Sequence, residues 1–128
     1  MNTDALIQAI GNHIYDLVGD DNSKVIAYSE VEDNVVACSI FYSKELDGRP
    51  SYLSGDSDLV NLIYEFWSRS QQELGEFWAA LSYCLVDGDV QLEITYKDKF
   101  NFDIGRLERR DDIIQNFFGT TDADYGTF

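Results

Sequence analysis

An α+β fold is predicted for this chain, with an antiparallel sheet built from two hairpins and one further short strand, and with helices packed on one face of it. Three observations predict it. Asp87-Gly88 stands between two runs of alternating character, and a type I′ turn needs φ > 0 at both central positions, which Asp and Gly tolerate best. Asp33-Asn34 stands in the same relation to the runs on either side of it. The segments of helical period flank these hairpins instead of alternating with single strands, which favours α+β over a parallel α/β order.

Taken in order, Leu6, Ile10, Ile14 and Leu17 recur at helical spacing, with Ile7 and Val18 widening the stripe, so residues 4–18 form an amphipathic helix. Thr3 is placed to cap its start and Gly19 its end. Strands 24–31 and 35–42 then pair around Asp33-Asn34, setting Val31 opposite Val36, Ser29 opposite Cys38, Ala27 opposite Ile40 and Val25 opposite Tyr42. The reverse face of that hairpin carries Glu32, Glu30, Tyr28, Ser39, Ile26 and Phe41, acidic at one end and aromatic at the other. The only proline lies in KELDGRPS, which makes residues 44–50 a loop before a short strand at 51–53. A long helix at 58–75 follows, its buried stripe being Leu59, Leu62, Ile63, Phe66, Ser70 and Leu74, with Trp67 at the margin.

The second hairpin, residues 78–97, sets Leu85 opposite Val90, Tyr83 opposite Leu92, Leu81 opposite Ile94 and Ala79 opposite Tyr96. A slip of one residue would exchange its apolar and polar faces, so the pattern specifies the register. Its reverse face, with Ser82, Cys84, Val86, Asp89, Gln91, Glu93 and Thr95, is expected to meet solvent or a partner. A last helix at 106–118 offers Leu107, Ile114, Phe117 and Phe118 as its apolar side, and Gly119 ends it. Residues 1–119 therefore form a single domain, and 120–128 are expected to be a flexible acidic tail.

The charge is one-sided: 24 acidic residues against nine basic ones give a formal net charge of -15. With 45% hydrophobic residues the chain still has the means to bury a core, which excludes a disordered acidic segment. Such a field repels nucleic-acid phosphates and anionic membranes, so neither is an expected partner; a cationic partner is its physical counterpart. MNTDALIQAI lacks the basic start and apolar run of a secretory signal, and no apolar stretch reaches membrane-spanning length, so a soluble, cytoplasmic protein is expected. Cys38 and Cys84, without CxxC spacing, are expected to be reduced packing residues.

No catalytic, cofactor-binding or metal-binding residue is assigned. His13, the single histidine, lies between stripe residues Ile10 and Ile14 with no serine or cysteine motif to serve, so it reads as a boundary residue of the first helix. GRPSYLSGDS lacks the lysine and the strand-to-helix context of a phosphate loop. The run from Asp87 has oxygen ligands at Asp87, Asp89 and Gln91, but Leu92 stands where a calcium loop needs glycine. Arg106, Arg109 and Arg110 are followed at once by Asp111 and Asp112, so ion pairs within the helix are expected of them.

The acidic side chains concentrate at two hairpin ends, Glu30, Glu32 and Asp33 at one and Asp87, Asp89 and Glu93 at the other, with Asp20, Asp21, Glu45 and Asp47 in adjoining loops. Carboxylates beside exposed aromatics suit a grip on a basic protein, the charges steering and the rings anchoring. The expected contact residues are therefore Tyr28, Glu30, Glu32, Asp33, Phe41, Asp87, Asp89 and Glu93.

KVIAYSEVEDNVVACSIFY as the first hairpin, the helix LVNLIYEFWSRSQQELGE, Trp78 opening the next strand, DGDVQLEITYKDKF and the closing RLERRDDIIQNFFG together resemble the YezG-like immunity proteins, antitoxins encoded beside polymorphic or contact-dependent bacterial toxins. The resemblance runs from about residue 5 to 119 and rests on pattern and order. It implies a non-enzymatic protein that binds and neutralises a cognate toxin domain, commonly a nuclease. The charge agrees with that on separate grounds, because a nuclease carries a basic groove for phosphates. An acidic adaptor or nucleic-acid mimic for some other basic protein is the alternative expectation. A small hydrolase using a carboxylate pair ranks below both.

Overall fold

The computed structural model describes residues 2–45 and 49–125. All eight expected helices and strands are present: α1 (Thr3–Val18), β1 (Lys24–Glu32), β2 (Val35–Ser43), β3 (Ser51–Ser54), α2 (Ser57–Leu74), β4 (Trp78–Val86), β5 (Asp89–Tyr96) and α3 (Arg106–Phe118), joined by an unexpected 3₁₀ turn at Lys97–Lys99. The strands form one sheet in the order β3-β2-β1-β4-β5, every neighbouring pair antiparallel. The α+β class is therefore the observed one. Asp47, counted among the acidic loop residues, and residues 126–128 lie outside the described residues.

Both hairpins turn on two residues in the left-handed region, Asp33 (φ 52°) with Asn34 (φ 64°) and Asp87 (φ 49°) with Gly88 (φ 86°). That geometry matches the right-handed twist of the strands it joins. All four pairs expected across the first turn are present, including Val31 with Val36 and Val25 with Tyr42. In the second hairpin Leu85–Val90, Tyr83–Leu92 and Leu81–Ile94 form, but Tyr96 faces Trp78 and not Ala79. A bulge causes the difference. Between Trp78 and Ala80 the strand spends one residue more than β5 does, and this turns the Trp78 ring into the core, 5.8 Å from the Phe66 ring of α2. Trp67 Nε1 of α2 then donates to the Trp78 carbonyl at 3.0 Å, closing the helix onto the bulge.

One sheet face packs on α1 and α2. Leu6, Ile10 and Ile14 from α1 and Leu59, Ile63 and Phe66 from α2 meet Val25, Ala27, Val31, Cys38, Ile40 and Leu81. Asn2, not Thr3, caps α1, its side chain accepting from Ala5 N at 2.8 Å. Leu74, placed in the α2 stripe from its spacing, is the last residue of the helix and is 56% exposed. Gly55, just before α2, lies so close to β2 that an added Cβ would stand 2.9 Å from Cys38 Cβ, while its N–H donates to the Cys38 carbonyl. Gly55→Ala must push a strand and a helix entry apart, and is expected to lower unfolding free energy by about 1–3 kcal/mol in urea titrations.

The opposite face is where expectation and structure part. α3 does not join the other two helices; it covers Ile26, Phe41 and Cys84 with Ile114, Ile113, Phe117 and Phe118, and Ala123 from the tail completes the cluster. The molecule therefore has three layers. Leu107, assigned to the apolar side of α3, is 59% exposed, and Ile114 is the residue of α3 that is fully buried. The expected flexible tail is also corrected over its described part. Tyr52 N donates to Asp124 O at 2.9 Å and Asp124 N to Pro50 O at 2.8 Å, so the tail adds a short parallel pairing to the outer edge of β3. Arg49 holds it there through Asp122 and the Ala123 carbonyl. The other sheet edge, β5, presents the exposed carboxylates Asp89 and Glu93, charges that discourage edge-to-edge association.

Candidate functional site

Because α3 lies over β1 and β2, the outer face of β4 and β5 stays partly open beside it. The opening is a groove of about 570 Å³. Ile26, Cys84 and Val86 floor it, Ile113 and Phe117 of α3 wall it, and Asp87, Asp89 and Glu93 stand on the rim. All three carboxylates are exposed, and Val90 between them is 52% exposed. Lys24 pins the end of α3 at this groove: its Nζ donates to the Phe117 carbonyl at 2.8 Å and lies 5.4 Å from the centroid of the Phe117 ring. A cation there also suits the negative end of the helix dipole.

The chemistry available in the groove is that of a contact surface. Cys84 places a thiol in its floor, and burial, with Glu93 adding to it, pushes that thiol up to about 11. At neutral pH it is a thiol, poorly suited to attack. Cys38 is likewise pushed up to about 11 by burial, and both cysteines are free, one on each side of the sheet.

The eight expected contact residues fall into three groups. Asp87, Asp89 and Glu93 share the groove. Glu32 and Asp33 are exposed at the opposite end of the sheet, since β1 starts beside Val86 and runs its nine residues away from it. At about 3.3 Å per residue that separates the two acidic ends by roughly 26 Å. Tyr28, Glu30 and Phe41 are not on the surface at all, being 6%, 6% and 0% exposed beneath α3. Their assignment as contact residues is corrected: the face that would have presented them is a second core.

Glu30 is instead the centre of a buried network that sequence reasoning missed. Arg109 of α3 grips it with both arms, Nε to Oε2 at 2.9 Å and Nη2 to Oε1 at 2.7 Å, and the Tyr28 hydroxyl donates to Oε2 at 2.6 Å. Burial and the neighbouring Glu30 raise the Tyr28 phenol well above its usual range. The hydrogen bonds that Arg109 donates to Glu30 raise the guanidinium above its usual value. Arg109 also donates to the carbonyls of Asn101 and Ile104 and lies 4.5 Å from the Phe100 ring centroid, so it ties the loop before α3 to β1. The ion pairs expected of it with Asp111 and Asp112 are absent among the described residues.

His13 has a structural partner too. Its Nε2 lies 2.8 and 2.9 Å from the two oxygens of Asp56, the N-cap of α2, whose Oδ1 also accepts from Leu59 N. The Leu59 N–H first, and then His13, hold the Asp56 carboxyl below its usual pKa. His13, Asp56 and Asp58 bring ligand atoms within 4.8 Å of one another, but a cation there would have to replace the direct contact between His13 Nε2 and Asp56. Among the described residues no helix is long and apolar enough to cross a membrane. Compared with known proteins, the chain matches no family model and no curated protein.

Proposed function

We propose that this chain is an immunity protein that neutralises a cognate cationic toxin domain, a nuclease by class, and that the groove beside α3 is the centre of its interface. The observation that carries the proposal is the groove itself: three exposed carboxylates, Asp87, Asp89 and Glu93, around an apolar floor, on a chain of net charge -15. A rim of charge around an apolar centre is how a surface combines fast capture with slow release. The order of elements that resembles the YezG-like immunity proteins supports the same reading, and such a protein would act in the cytoplasm, where a nuclease meets its substrate. No catalysis by the chain is needed for it.

The test is calorimetric titration against the toxin domain encoded beside this gene, at low and at physiological salt. Nanomolar binding that weakens with salt is the expected result, because steering by exposed charges fades over a Debye length of about 8–10 Å. Replacing Asp87, Asp89 and Glu93 together by Lys should slow association roughly 10- to 10³-fold, whereas Glu32→Lys with Asp33→Lys, at the far end of the sheet, should change it little. Absence of a complex at either salt would sink the proposal. Equal sensitivity at both ends of the sheet would move the interface away from the groove.

A further inference from the structure

Of the nine lysines and arginines, Lys44, Arg49, Arg69 and Arg109 have a carboxylate partner, Lys24 donates to the Phe117 carbonyl, and Lys97 and Lys99 are exposed with no ion pair among the described residues. Arg106 and Arg110 have neither an ion pair nor a hydrogen-bond acceptor among the described residues. They are one turn apart on α3, and both line one cavity of about 240 Å³ between that helix and the β2–β3 side of the sheet.

Part of the remaining lining can donate to an anion, beside the apolar Val36, Ala37, Val60 and Leu107. Ser39, Tyr52 and Ser54 bring hydroxyl groups from the strands. Glu30 reaches the same cavity, but both of its oxygens are taken by Arg109 and Tyr28, so its charge is already answered. The unanswered charge there belongs to Arg106 and Arg110. The Arg110 guanidinium is held in place by three rings, its centre 5.8 Å from the Phe41 centroid, 5.4 Å from that of Tyr52 and 5.5 Å from that of Tyr125. Such cation–π contacts hold the guanidinium without using its hydrogen bonds. Its Nε is buried with no acceptor, so the hydrogen bonds of the fork are not used up within the protein. Glu32 and Asp33 share an adjoining depression with Arg106 yet stay beyond ion-pairing distance of it.

We infer that this cavity is a binding site for a small oxyanion, a carboxylate or a phosphate, gripped by Arg106 and Arg110 and completed by the serine and tyrosine hydroxyls. The fork of an arginine matches two oxygens of either group, and two arginines on one helix face supply the charge. The site is separate from the acidic groove and does not rest on the immunity reading, since a cationic toxin surface would be repelled from it.

The experiment is a proton–nitrogen NMR titration of the whole chain with inorganic phosphate and with acetate, at fixed ionic strength, with chloride as control. A saturable shift of the Arg110 Nε–H resonance with phosphate or acetate, and none with chloride, is expected; the tighter of the two identifies the source as a phosphate or a carboxylate ligand. Arg106→Gln, at an exposed position that the fold does not depend on, should weaken binding about tenfold. Arg110→Gln should abolish it. Shifts that never saturate, or an unchanged affinity in Arg106→Gln, would overturn the assignment.

Discussion

Glu30→Ala is expected to lower the unfolding free energy by about 3–5 kcal/mol, as one partner is removed from a buried ion pair while the other remains. The Glu30 and Arg109 side chains are only 7% and 12% exposed, so water cannot take over the lost contacts. After the substitution Arg109 would keep its two backbone acceptors and the Phe100 ring, but its charge would be uncompensated, and the Tyr28 hydroxyl would lose its acceptor. The pair itself need not be net stabilising, because desolvating two charges costs nearly what their attraction returns. That distinction can be measured. Glu30→Leu combined with Arg109→Met should recover more than half of the loss, and a double-mutant cycle by urea unfolding gives the coupling. A cost below about 1 kcal/mol for Glu30→Ala would mean that the network is a solvated surface pair after all.

Why this network escaped the sequence is instructive. Alternation assigns Glu30 to the face opposite Val25, Ala27 and Val31, and that assignment is right; what alternation does not carry is whether the second face is covered. The cover is Arg109, 79 residues later, on a helix whose own apolar count is low. The signal available was the reverse face itself: Ile26, Tyr28 and Phe41 together are too apolar for a surface that meets only water, and α3 was the one helix not needed by the first core. Where a turn or one strongly marked face sets the phase, prediction succeeded. The β1–β2 register came out as expected because Asp33-Asn34 defines the turn, although both faces of that hairpin carry apolar groups. Trp78-Ala79-Ala80 offers no such phase, since all three are apolar and either setting satisfies the pattern, and the bulge lies there. The tail was illegible for a different reason. Its attachment to Pro50 and Tyr52 is made by backbone groups, which composition does not reveal. Of the candidate site, the acidic rim at Asp87, Asp89 and Glu93 was legible from the turn and the alternation, whereas the apolar floor and the wall that make it a groove come from the position of α3.

Phe41→Ala is the second large effect, and it separates a core residue from a contact residue. A contact aromatic replaced by alanine would leave stability unchanged and weaken the complex. Phe41 is fully buried, with Tyr52 at 5.2 Å and Tyr125 at 6.2 Å between ring centroids, so its removal opens a cavity beneath α3 that neither neighbouring strand can close. A loss of about 3–5 kcal/mol is expected on urea unfolding, a large share of the roughly 5–15 kcal/mol that holds a domain together. Hydrogen exchange in α3 and around Asp124 should rise more than in α1 and α2, because the first core does not use this ring. An unchanged unfolding free energy would return Phe41 to the surface and undo the three-layer arrangement. The two large effects also constrain each other. Glu30 and Phe41 both hold α3, one through Arg109 in its first turn and the other through the apolar cluster around Ile114, so once either substitution has released the helix the other finds less to lose. The combined variant is therefore expected to cost less than the sum of the two, whereas independent sites would add within about 0.5 kcal/mol.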